Sequence, residues 1–289
     1  MAKNLLEQIM TKSTKKKVTN SEEDEKFVEG LPTAINAGYL VKTKTKFVKK
    51  DNFSASGLTY GAGECPRYWT LAFDGQITYD NSDATGVANR TQGTLGHGRI
   101  QEAIEASGLL AQDLEMDPLP RKYNKQTHPA MEFRVKTDDP PFDGYGDVMI
   151  DYKGERLVGE IKTIRNDEFE YRKINRRPKM GHLMQLLLYM KVWKMRKGVM
   201  IYENKNTHEL LTLPVVVSEH YRAWAEEVFE WMKLVYKNWQ EKQLPEIPYR
   251  SNSKICKVCP IQKACAEAGD GTIKIKPMRL SVLRTCTEW

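Results

Sequence analysis

The spacing of apolar residues predicts three helices. Isoleucines and alanines recur at helical spacing over residues 95–107, and Gly108 suits the C-terminal end of that helix. The apolar run GHLMQLLLYMKVWKM predicts a second helix over residues 181–195. Over residues 218–243, tryptophans and valines recur every three or four positions, which predicts a long amphipathic helix whose aromatic face packs on the core.

Other stretches have the pattern of strands. Residues 144–152 and 155–163 form the clearest pair, and the short gap Lys153-Gly154 between them predicts a tight hairpin. The remaining predicted strands cover residues 131–136, 198–205 and 210–217. This order of elements predicts a mixed α/β fold, with a central sheet flanked by helices.

Composition adds the domain organisation and a hint about the partner. Residues 1–50 are predicted to be a polar, basic N-terminal arm, residues 51–245 the core, and residues 246–289 a C-terminal region bearing cysteines. No apolar run reaches the length of a membrane helix and no signal peptide is recognisable, so we expect a cytoplasmic protein with no membrane partner. The formal net charge of +7 favours an anionic partner such as nucleic acid.

The stretch LVGEIKT places two opposite charges on one face of an apolar strand. Glu160 and Lys162 are two residues apart and project together, and Asp147 on the preceding strand of the hairpin is expected to face them. Two converging carboxylates favour a divalent cation such as Mg²⁺ or Mn²⁺. The plainer interpretation is a cross-strand salt bridge, and Asp143 and Asp151 are rival first carboxylates.

Three further motifs accompany this constellation in a fixed order. His97 ends the G-x-x-x-H motif that starts at Gly93, while Gln185 and Tyr189 form a Q-x-x-x-Y motif one helical turn apart. Together with Asp147 and E-x-K, this order resembles the PD-(D/E)XK nuclease superfamily. The likeness is to its RecB-like branch, and within it to the CRISPR-associated iron–sulfur exonucleases of the Cas-four type, which include phage-encoded members.

The resemblance implies a role for each motif residue within a restriction-endonuclease-like core. Asp147 and Glu160, with His97 and the carbonyl of Ile161, would hold the metal ion. Lys162 would activate the attacking water. Gln185 and Tyr189 would position the lysine or the DNA backbone.

The cysteines form a second constellation. Cys256, Cys259 and Cys265 have the spacing C-x2-C-x5-C, which is typical of metal ligands and leaves a fourth ligand to be supplied by Cys65 or Cys286. Spacing alone allows zinc or an iron–sulfur cluster. The resemblance implies a [4Fe–4S] cluster held by Cys65 and the three C-terminal cysteines, joining the two flanks of the core.

A basic run follows the predicted catalytic strand. We expect it to contact DNA, although a solvated basic loop is the equally plain alternative; its residues are Tyr171, Arg172, Lys173, Arg176, Arg177 and Lys179. The chain has no P-loop motif, so any ATP-driven strand separation would require another protein.

These motifs lead to one expected function and one alternative. We expect a metal-dependent deoxyribonuclease, a single-stranded DNA exonuclease that the resemblance implies to be 5′–3′, with some endonuclease activity. The alternative is a non-catalytic iron–sulfur or zinc DNA-binding subunit of a recombination, repair or CRISPR-adaptation complex. Candidate partners are a helicase, a recombinase, a CRISPR-adaptation protein or a second copy of the chain. The sequence itself fixes neither the cleavage polarity, the oligomeric state nor the pathway.

Overall fold

The computed structural model describes residues 29–41, 46–111 and 132–278. The strands of this part of the chain are β1 (Lys46–Val48), β2 (Gln76–Thr78), β3 (Phe133–Asp138), β4 (Pro141–Gly146), β5 (Val148–Tyr152), β6 (Glu155–Ile164), β7 (Lys197–Asn204) and β8 (Leu210–Val216). The helices are α1 (Leu31–Leu40), α2 (Ala55–Thr59), α3 (Pro66–Asp74), α4 (Ala84–Ala106), α5 (Asn166–Asn175), α6 (Met180–Val192), α7 (Glu219–Gln240), α8 (Lys254–Lys257) and α9 (Gln262–Glu267). The predicted mixed α/β class is confirmed.

A four-stranded sheet in the order β5-β6-β7-β8 forms the centre of the fold. Strands β6 and β7 are parallel, and α5 and α6 make the crossover between them, while the other two pairings are antiparallel. Strands β1 and β2 form one separate two-stranded sheet, and β3 and β4 form another.

Both faces of the central sheet are covered, which explains the apolar character of β6. On one face Val158 and Met200 join the large core made with α6 and α7. On the other face Ile161 and Ile201 pack with Ile100 of α4. Side chains alternate between the two covered faces of the sheet, so the charged side chains in the middle of β6 lie inside the protein.

The predicted hairpin joins β5 to β6. The pairing runs from Val148 opposite Gly159 to Tyr152 opposite Glu155. Lys153 and Gly154 have φ angles of 52° and 77°, the left-handed conformations that a two-residue type I′ turn requires.

Several predicted boundaries are wrong. Helix α4 begins at Ala84, well before residue 95, because the Asp83 carboxylate accepts a hydrogen bond from the Gly86 N–H at 2.7 Å and caps the helix there. The single strand predicted over 144–152 is broken at Asp147, since β4 pairs with β3 whereas β5 pairs with β6. The first half of the basic run, for which no element was predicted, lies in helix α5.

The long helix α7 confirms the prediction that its aromatic face packs on the core. Trp224 is buried, and Trp231 and Trp239 pack against the same cluster. The predicted strand start at Met131 lies outside the described residues, as does Cys286. No helix among the described residues is long and apolar enough to cross a membrane.

Candidate active site

The three charges of the E-x-K constellation meet inside the protein. Asp147 directly precedes the pair Val148–Gly159, so continuing the register places it opposite Glu160. The side chains of both acids are nearly inaccessible, with 7% of Asp147 and 2% of Glu160 exposed. The Lys162 ammonium lies 2.5 Å from Glu160 Oε1 and 3.8 Å from Asp147 Oδ2. A single positive charge therefore holds two buried carboxylates together.

The break in the chain at Asp147 turns its carboxylate toward β6. The Ile161 N–H donates to Asp147 Oδ2 at 2.7 Å, and the Gln101 amide donates to the Asp147 carbonyl at 2.5 Å. The N–H and C=O of one strand residue point to the same side of the strand, so the Ile161 carbonyl also faces Asp147. The predicted role of this carbonyl is thus compatible with its direction.

Helix α4 brings His97 to the same point. His97 Nδ1 lies 3.7 Å from Asp147 Oδ1. The helix can approach β6 this closely because Gly96 has no side chain: a Cβ atom there would lie 2.6 Å from Thr163 Cγ2. Gly93 lies farther from Thr163, so the tight packing is specific to Gly96.

The two carboxylate oxygens of Glu160 differ in their hydrogen bonding. In the amide orientation that satisfies both its polar atoms, Gln185 donates to Glu160 Oε1 at 2.9 Å and accepts from the Ser56 N–H at 3.3 Å. Glu160 Oε2 is buried and has no hydrogen-bond partner in the described part of the chain. Burial and the Asp147 carboxylate raise the pKa of Glu160 to about 8, against the lowering effect of Lys162.

These donors suit a small oxygen-loving cation. A buried carboxylate oxygen without a partner is costly, and a bound cation would remove that cost. The candidate donors are Glu160 Oε2, an Asp147 oxygen, the Ile161 carbonyl and His97. No group of three or more His, Cys, Asp or Glu side chains within residues 29–41, 46–111 and 132–278 is already drawn together as a metal site.

The rival carboxylates are occupied elsewhere. Asp143 forms a two-point pair with Arg134, at 2.8 and 3.2 Å. Asp151 forms a similar pair with Arg156, with both distances at 2.7 Å. Neither aspartate belongs to the buried cluster around Lys162, which favours Asp147.

Helix α6 lines the opposite side of the site. Gln185 and Tyr189 are buried on it, and burial together with the charges of Glu160 and Asp147 raises the pKa of Tyr189 well above its usual range. The sequence interpretation missed His182 on the same helix. His182 Nδ1 lies 3.2 Å from the Tyr202 hydroxyl, and burial with the nearby Lys162 charge lowers the pKa of His182 well below its usual range.

Two other residues were missed. Gln101 lies one helical turn after His97, and this i, i+4 spacing was the available signal. Tyr60 lies in the loop after α2, is 49% exposed, and is close enough to Lys162 and Glu160 for their charges to affect its pKa, which burial raises. No periodicity marks a loop residue, so the sequence offered no signal for Tyr60.

The four predicted cluster cysteines lie in one neighbourhood. Cys65 immediately precedes α3, and its pKa is raised to about 12 by burial and by its neighbours Cys259 and Cys265, against the lowering effect of the Tyr68 and Arg67 N–H groups. Burial, together with Cys265 and Cys256, similarly raises the pKa of Cys259 to about 11, and the Ile261 N–H acts to lower it. All four are free thiols.

Arg67 ties this neighbourhood to the core. Its side chain is 0% exposed and donates to the carbonyls of Pro245 at 2.8 Å and Cys265 at 3.0 Å, and also to the carbonyl of Gly269. Its Nε donates to Cys265 Sγ at 3.2 Å. Within the described residues, no carboxylate lies at ion-pair distance from this buried guanidinium, so its charge lies against a sulfur and three carbonyls without a compensating anion.

The basic run is only partly available to a ligand. Lys173 pairs with Glu209 at 2.7 Å and Lys179 with Glu168 at 3.5 Å. Arg176 donates to the Thr212 carbonyl at 3.3 Å. The guanidinium of Arg172 lies 5.0 Å from the ring of Tyr171, and Arg177 is exposed.

The sequence matches no protein-family model and no curated protein. Among solved structures, the alkaline exonuclease LHK-Exo from Laribacter hongkongensis aligns at 11% identity over 66% of this chain and 91% of that chain, with a TM-score of 0.44. LHK-Exo in complex with dAMP aligns at 11% identity over 75% of this chain and 95% of that chain, with a TM-score of 0.44. SSO0001 aligns at 16% identity over 83% of this chain and 96% of that chain, with a TM-score of 0.38. Similarities this weak support no conclusion about function.

Proposed function

We propose that the protein is a metal-dependent nuclease that hydrolyses phosphodiester bonds in DNA. The observation that carries this proposal is the buried meeting of Asp147, Glu160 and Lys162 around a carboxylate oxygen with no partner. A purely structural salt bridge would leave no orphan oxygen, since such an atom destabilises the fold. Sites that keep a cost of this kind are commonly functional.

The residues divide the chemistry between them. Bound at Asp147 and Glu160, with help from His97 and the Ile161 carbonyl, Mg²⁺ or Mn²⁺ would supply Lewis-acid stabilisation of negative charge at phosphorus. Lys162 keeps its proton, because the two carboxylates raise its pKa more than burial lowers it. Its ammonium can therefore orient the attacking water and oppose developing charge. Gln185 fixes the orientation of Glu160.

The substrate proposed is single-stranded DNA, degraded from an end. Tyr60 is half-exposed and near enough to the site for the charges of Lys162 and Glu160 to affect its pKa, so its ring is a candidate surface for stacking an unpaired base. Exposed Tyr171, with the Arg172 guanidinium 5.0 Å from its ring, is a second candidate for contact with the strand. The 5′–3′ polarity and the exonuclease mode rest on the motif resemblance alone.

The proposed cofactor of the cysteine neighbourhood is a [4Fe–4S] cluster held by Cys65, Cys256, Cys259 and Cys265. Its support is the buried Arg67, whose charge has no carboxylate partner in the described part of the chain and lies against Cys265 Sγ. A site of four thiolates would supply the missing negative charge. Zinc bound to four thiolates would do the same, so the metal must be identified directly.

The decisive experiment compares variants of one hairpin. End-labelled single-stranded DNA is incubated with Mn²⁺ and with the wild type, Lys162→Ala, Glu160→Gln or Asp151→Asn. We expect the first two variants to lose about 10²–10⁴-fold in rate. Asp151→Asn removes another carboxylate of the hairpin, one that is exposed and bound to Arg156, and should stay within about twofold of wild type.

Two results would contradict the proposal. Undiminished hydrolysis by Lys162→Ala would remove Lys162 from the mechanism. A wild type that binds DNA but never cleaves it would favour the non-catalytic subunit instead. For the cofactor, protein purified anaerobically should be brown with a broad visible absorption, and a colourless protein carrying stoichiometric zinc would refute the cluster.

A further inference from the structure

A cavity lies away from the carboxylate site, between the two-stranded β1–β2 sheet and the cysteine segment. Its volume is about 530 Å³, within the range of small-molecule sites. Lys46, Val48 and Thr78 line it from the β1–β2 sheet, and Tyr68 of α3 lines it from the core. Val258 and Pro260, which flank Cys259, form the remaining wall.

The cavity carries uncompensated positive charge. Lys46 and Lys50 both line it, and within the described residues neither has a carboxylate at ion-pair distance. The one carboxylate of the lining, Asp80, is paired with Arg90 at 3.1 Å. The Lys50 ammonium lies 5.4 Å from the centre of the buried Trp69 ring, and burial lowers the pKa of Lys50. An anion would therefore gain from binding beside it.

Aromatic and amide groups share the lining with these charges. Tyr68 and Tyr79 are among the lining residues, and so is Asn81. Ammonium groups for phosphates combined with ring faces for bases are the features of a surface that binds single strands without sequence preference. Neither a metal site nor an apolar ligand pocket would need this combination.

The cavity wall depends on the cysteine segment. The Tyr79 N–H donates to the Pro260 carbonyl at 2.8 Å, which joins the end of β2 to the residue after Cys259. The β1–β2 sheet has no pairing with the central sheet. Its position is thus tied to the segment that bears three of the cysteines.

We propose that this cavity binds the phosphate backbone of single-stranded DNA, with Lys46 and Lys50 contacting phosphates and Tyr68 and Tyr79 contacting bases. This site is a second contact on the cysteine flank, separate from the hydrolytic centre. It rests on the proposed function only in that the substrate is a DNA strand. Binding and hydrolysis can therefore be tested apart.

The test measures strand binding without catalysis. Fluorescence anisotropy of a labelled oligo(dT) strand is recorded in EDTA over a series of salt concentrations, for wild type, Lys46→Ala/Lys50→Ala and Lys49→Ala. Lys49 is the matched control, because it lies between the two lysines in sequence but outside the cavity lining. The double variant should bind about tenfold more weakly and lose about 1.4 from the salt slope, at about 0.7 for each phosphate contact.

A second variant guards against a folding defect at the half-buried Lys50. Lys46 is exposed, so Lys46→Glu should fold normally, as circular dichroism would verify, and should bind more weakly than Lys49→Ala. If both cavity variants bind like Lys49→Ala, the cavity proposal is refuted while the hydrolysis assay still stands. Competition by dTMP as strong as that by the strand would also overturn it, because a mononucleotide site needs no backbone contact. No binding by wild type in EDTA would also overturn the cavity proposal, while the hydrolysis assay with Mn²⁺ decides the proposed function separately.

Discussion

Replacing Arg67 by lysine tests how the cysteine flank is attached to the core. Arginine offers five N–H donors in a planar fork, and here they serve three backbone carbonyls and one sulfur. A lysine ammonium on its flexible stem cannot reach acceptors spread over Pro245, Cys265 and Gly269 at once. At least two of these carbonyls, one buried and two part-buried, should lose their partner, at about 1–3 kcal/mol each, for a total of about 2–6 kcal/mol.

The assay is urea unfolding of anaerobically purified protein, followed by tryptophan fluorescence. With a denaturant slope of about 3 kcal/mol/M, the loss moves the midpoint down by about 0.7–2 M. The matched control is Arg222→Lys, an exposed arginine whose only described carboxylate partner, Glu219, is itself exposed, and we expect a change below about 0.5 kcal/mol. A free energy of unfolding for Arg67→Lys within about 1 kcal/mol of wild type would refute the reasoning.

Three further predictions concern the site and the flank. Gly96→Ala should cost about 1–3 kcal/mol in thermal or urea unfolding, because its Cβ would meet Thr163 Cγ2, and adding Thr163→Ser should restore much of the loss by removing that methyl group; a single variant as stable as wild type would contradict this. Removing divalent cations with EDTA should abolish DNA hydrolysis and adding Mn²⁺ should restore it, with activity that persists in EDTA as the contrary result. Cys65→Ser should reduce bound iron per chain and lower the midpoint of thermal unfolding, and an unchanged iron content would exclude Cys65 as a ligand.

The sequence predicted those features that local chemistry determines. Hairpin β5–β6 followed from Lys153-Gly154, because only a few residue pairs tolerate two consecutive left-handed conformations. The side-chain period of two then placed Glu160 and Lys162 on one face. Pro66 is likewise a local signal for the start of helix α3, since a proline fits the first helical position without losing a hydrogen bond.

The features that were missed depend on contacts distant in sequence. The break at Asp147 arises because the residues before it pair with β3 and those after it with β6, while the local alternation of 144–152 looks like one continuous strand. The structural choice of Asp147 over Asp143 and Asp151 depends on which of these acids pairs with an arginine. Asp143 pairs with Arg134 and Asp151 with Arg156, and no sequence pattern indicates these pairs.

The short segment from Tyr60 to Cys65 explains why the cysteine flank should influence the active site. Tyr60 is near enough to Lys162 and Glu160 for their charges to affect its pKa, and five residues later Cys65 precedes helix α3. Three hydrogen bonds hold the segment between them: the Gly63 N–H donates to the Tyr60 carbonyl at 3.1 Å, the Cys65 N–H donates to the Ala62 carbonyl at 2.9 Å, and the buried Trp69 indole donates to the Gly63 carbonyl at 2.8 Å. We therefore expect a displacement of Cys65 to shift Tyr60, because a hydrogen-bonded turn transmits motion that a flexible linker would absorb.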